Sequence, residues 1–243
     1  MDLISELEPY ILNEKNMSIY LKYKFNGDFI NDTNNNNIVK QQSKINQLFI
    51  PPEEDSLFWC YYIIKNGDIK YEMLNNKNTL VAKQLKIDYI KIIRDNKLFV
   101  KSYKFDTISN IESNLANDNN VNIKSIMTLC AIEKFNLIFI NKNTYFELLM
   151  NDSNNIYIIN EIQPNTKYNK KYGFELASVE TLNEIRNSLY KLESIDKPIK
   201  SLSFYKVKDL LNIANKLEIE IINKQTGKNK TKNELYESII QHF

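Results

Sequence analysis

Eight consecutive apolar residues, Leu57 to Ile64, limit the folds open to this chain more than any other feature of its sequence. Residues 53–56 place acids and a capping side chain before the run, and Asn66-Gly67 follows it, which predicts a short helix. Such a helix is apolar on every side, so other elements must surround it. The run contains no basic residue to hold a phosphate. We therefore expect it to form core rather than a base-stacking or protein-binding surface.

The composition is that of a chain that folds into one or two packed domains. Of its 243 residues, 43% are apolar and 26% are charged, which excludes the collagen-like and fully disordered classes. No apolar stretch approaches the roughly 20 residues of a membrane-spanning helix, and the first residues lack the pattern of a secretory signal. Cys60 and Cys130 both lie in apolar runs, as buried thiols do. We therefore expect an intracellular protein that does not span a membrane.

The sequence lacks the familiar signatures of enzymes and cofactor sites. Its single histidine, His242, is the penultimate residue, where chain ends usually fray, which argues against histidine acid–base chemistry and catalytic triads. The glycines stand apart rather than in a phosphate-binding loop, and neither cysteine has a nearby histidine to complete a metal site. A hydrolase or nuclease that uses carboxylate-bound Mg²⁺ remains an alternative. We predict a non-enzymatic protein with no catalytic residue, metal or small-molecule cofactor.

The apolar spacing of residues 1–193 predicts an α+β domain that is mostly helical. Helical periodicity predicts these segments: 2–13, 57–65, 78–105 with a break near Asp95-Asn96, 108–115 and 123–135. Short apolar runs then predict the strands of a small antiparallel β meander: 136–140, 144–149 and 154–162. A further helix is predicted over 175–192, and Pro198 marks a linker to the rest of the chain.

An alternative for the middle of the chain is a winged helix. Helices near 107–117 and 122–135, followed by a hairpin with Asn141-Lys142-Asn143 at its tip, have the order of that fold. Lys124 and Lys134 would then lie on or beside a recognition helix. Residues 1–196 carry a net charge of −2, which argues against a broad DNA-binding face in this region.

Positive charge is concentrated near the C-terminus, where residues 197–243 hold nine lysines and five acids. A helix is predicted over 205–217, and its apolar face comprises Val207, Leu210, Leu211, Ala214 and Leu217. Residues 218–230 are too long for a tight turn and predict an extended, lysine-rich loop. Thr231-Lys232-Asn233-Glu234 has the form of a capping box and predicts the start of a second helix.

This arrangement of two short helices and an extended loop resembles the helix-extended-loop-helix family that includes the SAP motif and the N-terminal domain of the Rho termination factor. The resemblance covers about residues 199–243 and implies a small, all-α, SAP-like module. Members commonly bind DNA or RNA through the start of the first helix and the loop. Carried onto this chain, the implied contacts are Lys206, Lys208, Lys228, Lys230 and Lys232. SAP motifs usually end the first helix with Gly-Leu, where this chain has Glu218-Ile219, so a related fold that binds protein is an alternative.

A second resemblance concerns the origin of the chain. Residues 57–67, together with the abundance of Asn, Ile and Lys, are similar to uncharacterised proteins of large nucleocytoplasmic DNA viruses. This resemblance implies no activity. It implies a product made in an infected cell that acts in a viral factory or is packaged in a virion.

The sequence therefore predicts a protein that binds DNA or RNA through a basic C-terminal module. Lysine contacts phosphates without reading bases, and the chain has only two arginines, so binding should be electrostatic and weakly sequence-selective. The alternative is a structural or interaction protein of a viral particle, in which the C-terminal module docks on another viral protein. An exposed apolar patch on the module would favour that alternative.

Overall fold

The computed structural model describes residues 48–74, 76–153, 155–162, 170–223 and 227–243, which form a mixed α+β fold. The α+β class predicted from the sequence is therefore confirmed. The helix predicted over 2–13 lies outside the described residues. Within the described ranges, no helix is both long enough and apolar enough to cross a bilayer.

A group of helices precedes the sheet in the chain. They are α1 (Ser56–Asn66), α2 (Asp68–Glu72), α3 (Thr79–Asp95), α4 (Lys97–Tyr103), α5 (Ile108–Asn117) and α6 (Ile123–Ile132). Asp55, Thr107 and Asn122 open α1, α5 and α6, each with a side-chain oxygen that accepts a first-turn N–H. The predicted break near Asp95 is confirmed, because α3 ends there and α4 starts at Lys97.

The sheet has the strand order β4-β3-β1-β2-β5. Its strands are β1 (Asn136–Asn141), β2 (Thr144–Leu148), β3 (Ile156–Ile162), β4 (Lys171–Leu176) and β5 (Tyr190–Lys191). Strands β1 and β2 form the predicted antiparallel hairpin, while β3 pairs with β1 in parallel and with β4 antiparallel. The parallel β1–β3 pair lies at the centre of the sheet.

The predicted antiparallel meander is wrong in its pairing, although its three strands exist. In a meander β3 would lie beside β2, but β3 crosses to the other side of β1 and aligns Leu137 with Tyr157. The residues Ile158 and Ile159 point to opposite faces of the sheet and are both fully buried. A strand that is apolar on both faces is most stable in the sheet interior with both faces covered, which the parallel position provides.

The helix predicted over 175–192 is shorter than its periodicity suggests. Residues 171–176 form β4, and helix α7 (Val179–Ser188) begins only after Ser178, whose side chain accepts the N–H of Thr181. At its end, Leu189 leaves the helix so that Tyr190 can pair with Thr144 of β2. Apolar spacing alone did not reveal that both ends of residues 175–192 belong to strands, β4 at the start and β5 at the end.

The winged-helix alternative does not match the sheet. The hairpin of β1 and β2 turns at residues 142–143 as expected, but β1 is a central strand rather than part of a protruding wing. Lys124, at the start of α6, forms an ion pair with Asp196 and lies 4.0 Å from Asp106. Its charge is therefore matched by carboxylates within the fold.

Helix α1 is enclosed, as its sequence predicts. Every residue of the run 57–64 is buried. Helices α1 and α6 pack on one face of the sheet, where Phe139 and Ile159 join their apolar cluster. The other face is covered by α7, and Ile185 of that helix packs with Ile138. The sheet thus lies between a thick helical layer and a single helix.

Both cysteines are buried free thiols, which confirms that part of the prediction. Burial raises the pKa of the Cys60 and Cys130 thiols well above their ordinary value. The thiolate is the reactive form of cysteine, so both side chains act as small apolar residues of the core.

The hydroxyl of Tyr61 has no hydrogen-bond partner among the described residues, although the side chain is fully buried. Replacing Tyr61 by Phe is expected to raise the free energy of unfolding by about 1 kcal/mol, because an unpaired buried polar group is removed. Tyr71→Phe is the matched control, since the Tyr71 hydroxyl donates to Glu53 at 2.8 Å and its loss should destabilise. Urea denaturation measures both changes, and a less stable Tyr61→Phe protein would contradict the prediction.

The C-terminal residues form a second apolar cluster. A 3₁₀ turn (Leu202–Phe204) leads into helix α8 (Val207–Lys216), and helix α9 (Lys232–His242) follows. The buried residues of this cluster are Tyr205, Leu210, Ile213, Ala214, Leu217, Leu235 and Ile239. We call residues 199–243 the C-terminal module. Tyr190 of β5 packs against its core, and the Nζ atom of Lys216 donates to the Leu189 carbonyl.

The connection between α8 and α9 turns back on itself. Ile222 and Asn229 form an antiparallel bridge, and the Lys230 N–H donates to the Ile221 carbonyl at 2.9 Å. The predicted capping box is confirmed: the Glu234 carboxylate accepts the Thr231 N–H at 2.7 Å, and the Thr231 hydroxyl accepts the Glu234 N–H at 3.4 Å. The second helix therefore begins where its sequence predicts.

Candidate nucleic-acid interface

The start of helix α8 presents two lysines to solvent. Lys206 and Lys208 are exposed, while Leu210, at the end of the first turn, is fully buried and anchors the helix to the module core. The Asp209 carboxylate accepts the Lys206 N–H at 2.8 Å, and the Asp209 N–H donates to the Lys206 carbonyl at 3.0 Å. The Lys206 side chain has no acceptor atom, so no side chain caps the first N–H groups of the helix. The positive end of the helix dipole and two ammonium groups thus lie together.

The other three predicted lysines lie on the connection and at the start of α9. Lys228 is exposed, and its carbonyl accepts the Asn223 N–H at 2.9 Å. The Nζ atom of Lys230 donates to the Ser238 hydroxyl at 2.9 Å, so this side chain runs along α9. Lys232 is the first residue of α9 and is half-buried. The predicted lysines therefore form two groups, one at each helix start, and Lys230 is partly engaged within the module.

Sequence analysis missed Phe204, which lies in the turn just before these lysines. Its side chain is 62% exposed, although it belongs to the type of residue that normally fills a core. The Nζ atom of Lys200 lies 4.1 Å from the centre of the Phe204 ring, within cation–π distance. The only signal for it in the sequence is the position of an aromatic residue between Lys200 and Lys206.

Two tyrosines, of which Tyr205 is buried and Tyr236 is half-buried, fix the position of the segment that carries Phe204. The Tyr205 hydroxyl accepts the Lys200 N–H at 2.9 Å, and the Tyr236 hydroxyl donates to the Lys200 carbonyl at 2.8 Å. The Tyr205 ring also meets the Phe204 ring edge to face, with centroids 5.3 Å apart. Burial and a hydrogen bond with Tyr205 raise the pKa of Tyr190 in β5. The exposed phenyl group is thus held on a rigid base.

A cavity of about 510 Å³ lies elsewhere, where β1 and β3 end near the starts of α1 and α6. Three carboxylates line it, and two of them are already paired: Glu161 contacts the Nζ atom of Lys170 at 2.9 Å, and Asp55 contacts that of Lys86 at 2.7 Å, which leaves Glu54 as the third. In the part of the chain that the structure describes, no group of three or more His, Cys, Asp or Glu residues could hold a metal ion. The cavity therefore offers no carboxylate cluster for the Mg²⁺ alternative.

Comparison with models of protein families, with curated proteins and with solved structures finds no match for this chain. A function for the chain is therefore inferred from its own residues and their geometry.

Proposed function

We propose that the C-terminal module binds nucleic acid and that the start of α8 is its principal contact. The observation that carries this proposal is the joint exposure of Lys206 and Lys208 at a helix N-terminus that lacks a side-chain cap from its N-cap residue. Among the described residues, neither ammonium group forms an ion pair, so a phosphate would replace water rather than a carboxylate. Helix N-termini and lysines both favour phosphate oxygens.

The other predicted lysines support the contact in different ways. Lys228 and Lys232 extend the positive surface from the connection to the start of α9. Lys230 contributes charge, but its bond to Ser238 limits its reach. Because these side chains bind phosphates, we expect affinity that falls steeply with salt and depends little on base sequence.

A salt titration of the full chain with short single-stranded and duplex DNA tests the proposal. The double variant Lys206→Gln, Lys208→Gln is expected to weaken binding at least about 10-fold and to lower the slope of log affinity against log salt by about 1 to 2. Both effects follow from the loss of two phosphate contacts.

Lys97→Gln, Lys101→Gln is the matched control, because it removes the same charge from exposed positions on α4. Equal loss of affinity in both double variants would mean that net charge, rather than this site, determines binding. Absence of binding at low salt in the unsubstituted chain would overturn the proposal.

A second candidate function is docking on another protein. It is favoured by Val207, which continues the apolar face of α8 beyond the module core and is 46% exposed, and by Phe204 beside it. Docking through these side chains would be insensitive to salt. The viral origin and the particle role implied by the sequence remain predictions.

A further inference from the structure

We infer that the module prefers single-stranded nucleic acid, because Phe204 is placed to stack on an unpaired base. This inference rests on the proposed function and names its ligand class. The phenyl ring projects from the 3₁₀ turn at 62% exposure, and the turn itself is bound to the core through Tyr205. An exposed aromatic ring on a fixed backbone gives stacking area without the cost of ordering a loop at binding.

Positive charge lies close to the ring in space and in sequence. The Nζ atom of Lys200 lies over one face of the ring, 4.1 Å from its centre, so the opposite face is the one on which a base would stack. Lys206 and Lys208 follow Phe204 by two and four residues along the chain. The Lys200 ammonium also forms an exposed ion pair with Glu193 at 3.2 Å. Exposed pairs of this kind contribute little free energy, so Lys200 can exchange that carboxylate for a phosphate.

The geometry of the ring decides between strand types. Bases in a duplex are stacked on each other and present only their edges, so a phenyl face cannot reach a base face without unpairing it. Bases in a single strand expose their faces, and aromatic side chains stack on any of them. Lysines alone would not distinguish the two forms, since both carry phosphates. Phe204 therefore supplies the preference, and DNA and RNA share the chemistry involved.

Fluorescence anisotropy of the full chain with labelled oligonucleotides tests this inference. The probes are oligo(dT), oligo(U), a duplex and an abasic DNA strand of the same length, which keeps the phosphates and lacks the bases. Oligo(dT) should bind more tightly than both the duplex and the abasic strand. Phe204→Ala should weaken oligo(dT) binding roughly 5- to 150-fold, the range for one stacked base, and leave abasic binding unchanged.

Two further variants separate stacking on a base from a general loss of exposed apolar surface. Phe204→Trp keeps an aromatic face and should retain the preference for oligo(dT). Phe243→Ala removes another exposed phenyl group from the same module, next to Tyr190, and should leave the preference intact. Comparison of oligo(dT) with oligo(U) shows whether DNA or RNA is bound more tightly. Because stacking does not depend on the sugar, both probes should lose affinity for the Phe204→Ala protein.

The outcomes separate this inference from the proposed function. If Lys206→Gln, Lys208→Gln weakens binding but Phe204→Ala does not, the stacking inference is wrong and the phosphate contact stands. If the unsubstituted chain binds the duplex or the abasic strand as tightly as oligo(dT), the inference is likewise overturned. If neither the lysine substitutions nor Phe204→Ala changes the binding of any probe, both the proposed function and the stacking inference are wrong.

Discussion

Replacing Lys86 by Met is expected to lower the free energy of unfolding by about 3–5 kcal/mol. Lys86 on α3 is only 2% exposed, and its Nζ atom lies 2.7 Å from Oδ2 of Asp55 and 3.0 Å from the Asn119 carbonyl. Asp55 is also buried, where its carboxylate accepts the Val121 N–H at 3.1 Å. Without Lys86, that carboxylate would be a buried charge with no cation beside it.

The loss of stability should depend on pH. Burial raises the pKa of the Asp55 carboxyl above its ordinary value of 3.8, although Lys86 and two N–H groups act in the opposite direction. With a raised pKa, the folded state holds its proton to higher pH than the unfolded state, so stability falls as pH rises through that interval. Lys86→Met removes the strongest opposing contribution and raises the pKa further. The destabilisation should therefore be smallest in acid and should grow as pH rises above the ordinary carboxyl pKa of 3.8.

Urea denaturation at several pH values measures this effect. Lys83→Met is the matched control, because Lys83 lies one turn earlier on α3 and is exposed. It is expected to change the unfolding free energy by less than about 0.5 kcal/mol. A destabilisation by Lys86→Met that matches the control, or that stays constant with pH, would show that the ion pair does not stabilise the fold.

Lys86 also shows what the sequence did not reveal. In a chain with 30 lysines, nothing distinguishes this lysine from its solvent-exposed neighbours on α3. The burial of the Lys86 ammonium depends on the Asp55 carboxylate, and Asp55 lies just before α1, far from Lys86 in the sequence. Pairing between elements of this kind is set by tertiary contact, whereas caps and apolar runs act within a few residues. The enclosed helix α1 and the Thr231 capping box were predictable because both depend on residues that are close together in the sequence.

The sheet shows the same division between local and distant interactions. The strands β1, β2 and β3 were predictable from short apolar runs, and the β1–β2 hairpin from its turn. The position of β3 in the sheet was not predictable, because a continuous apolar run indicates that a strand is buried but does not indicate which strand it pairs with. The strand β4 escaped prediction since the sequence of Lys171–Leu176 mixes polar and apolar residues at an edge of the sheet.

For the candidate site, charge was predictable and exposure was not. The lysine content of the C-terminal module is a property of the sequence alone, and Lys206 and Lys208 do lie at a helix start. The exposure of Phe204 and the engagement of Lys230 with Ser238 depend on how the turn and α9 pack. A phenylalanine in a sequence is most simply assigned to a core, and only the fold shows that Tyr205, its neighbour, fills that position instead.

Leu235→Ala is expected to unfold the C-terminal module while the sheet and its helices remain folded. Leu235 is fully buried at the centre of the module cluster, and truncation of such a leucine costs about 2–5 kcal/mol. The cluster is small, and a core of that size supplies only a few kcal/mol. The main cluster around α1 does not include Leu235, so its packing should persist. This prediction also tests the boundary near residues 193–199 that the sequence suggested.

Hydrogen exchange measured by mass spectrometry distinguishes the outcomes. In Leu235→Ala, amides of α8 and α9 should lose protection, those of α1 and β1 should keep it, and binding to oligo(dT) should disappear. Ile240→Ala is the matched control, because Ile240 lies on the same helix and is half exposed. Loss of protection throughout the chain would mean that residues 199–243 fold only as part of one domain. Retained binding in an unfolded module would place the nucleic-acid contact elsewhere, because the module core holds Phe204 and the start of α8 in position.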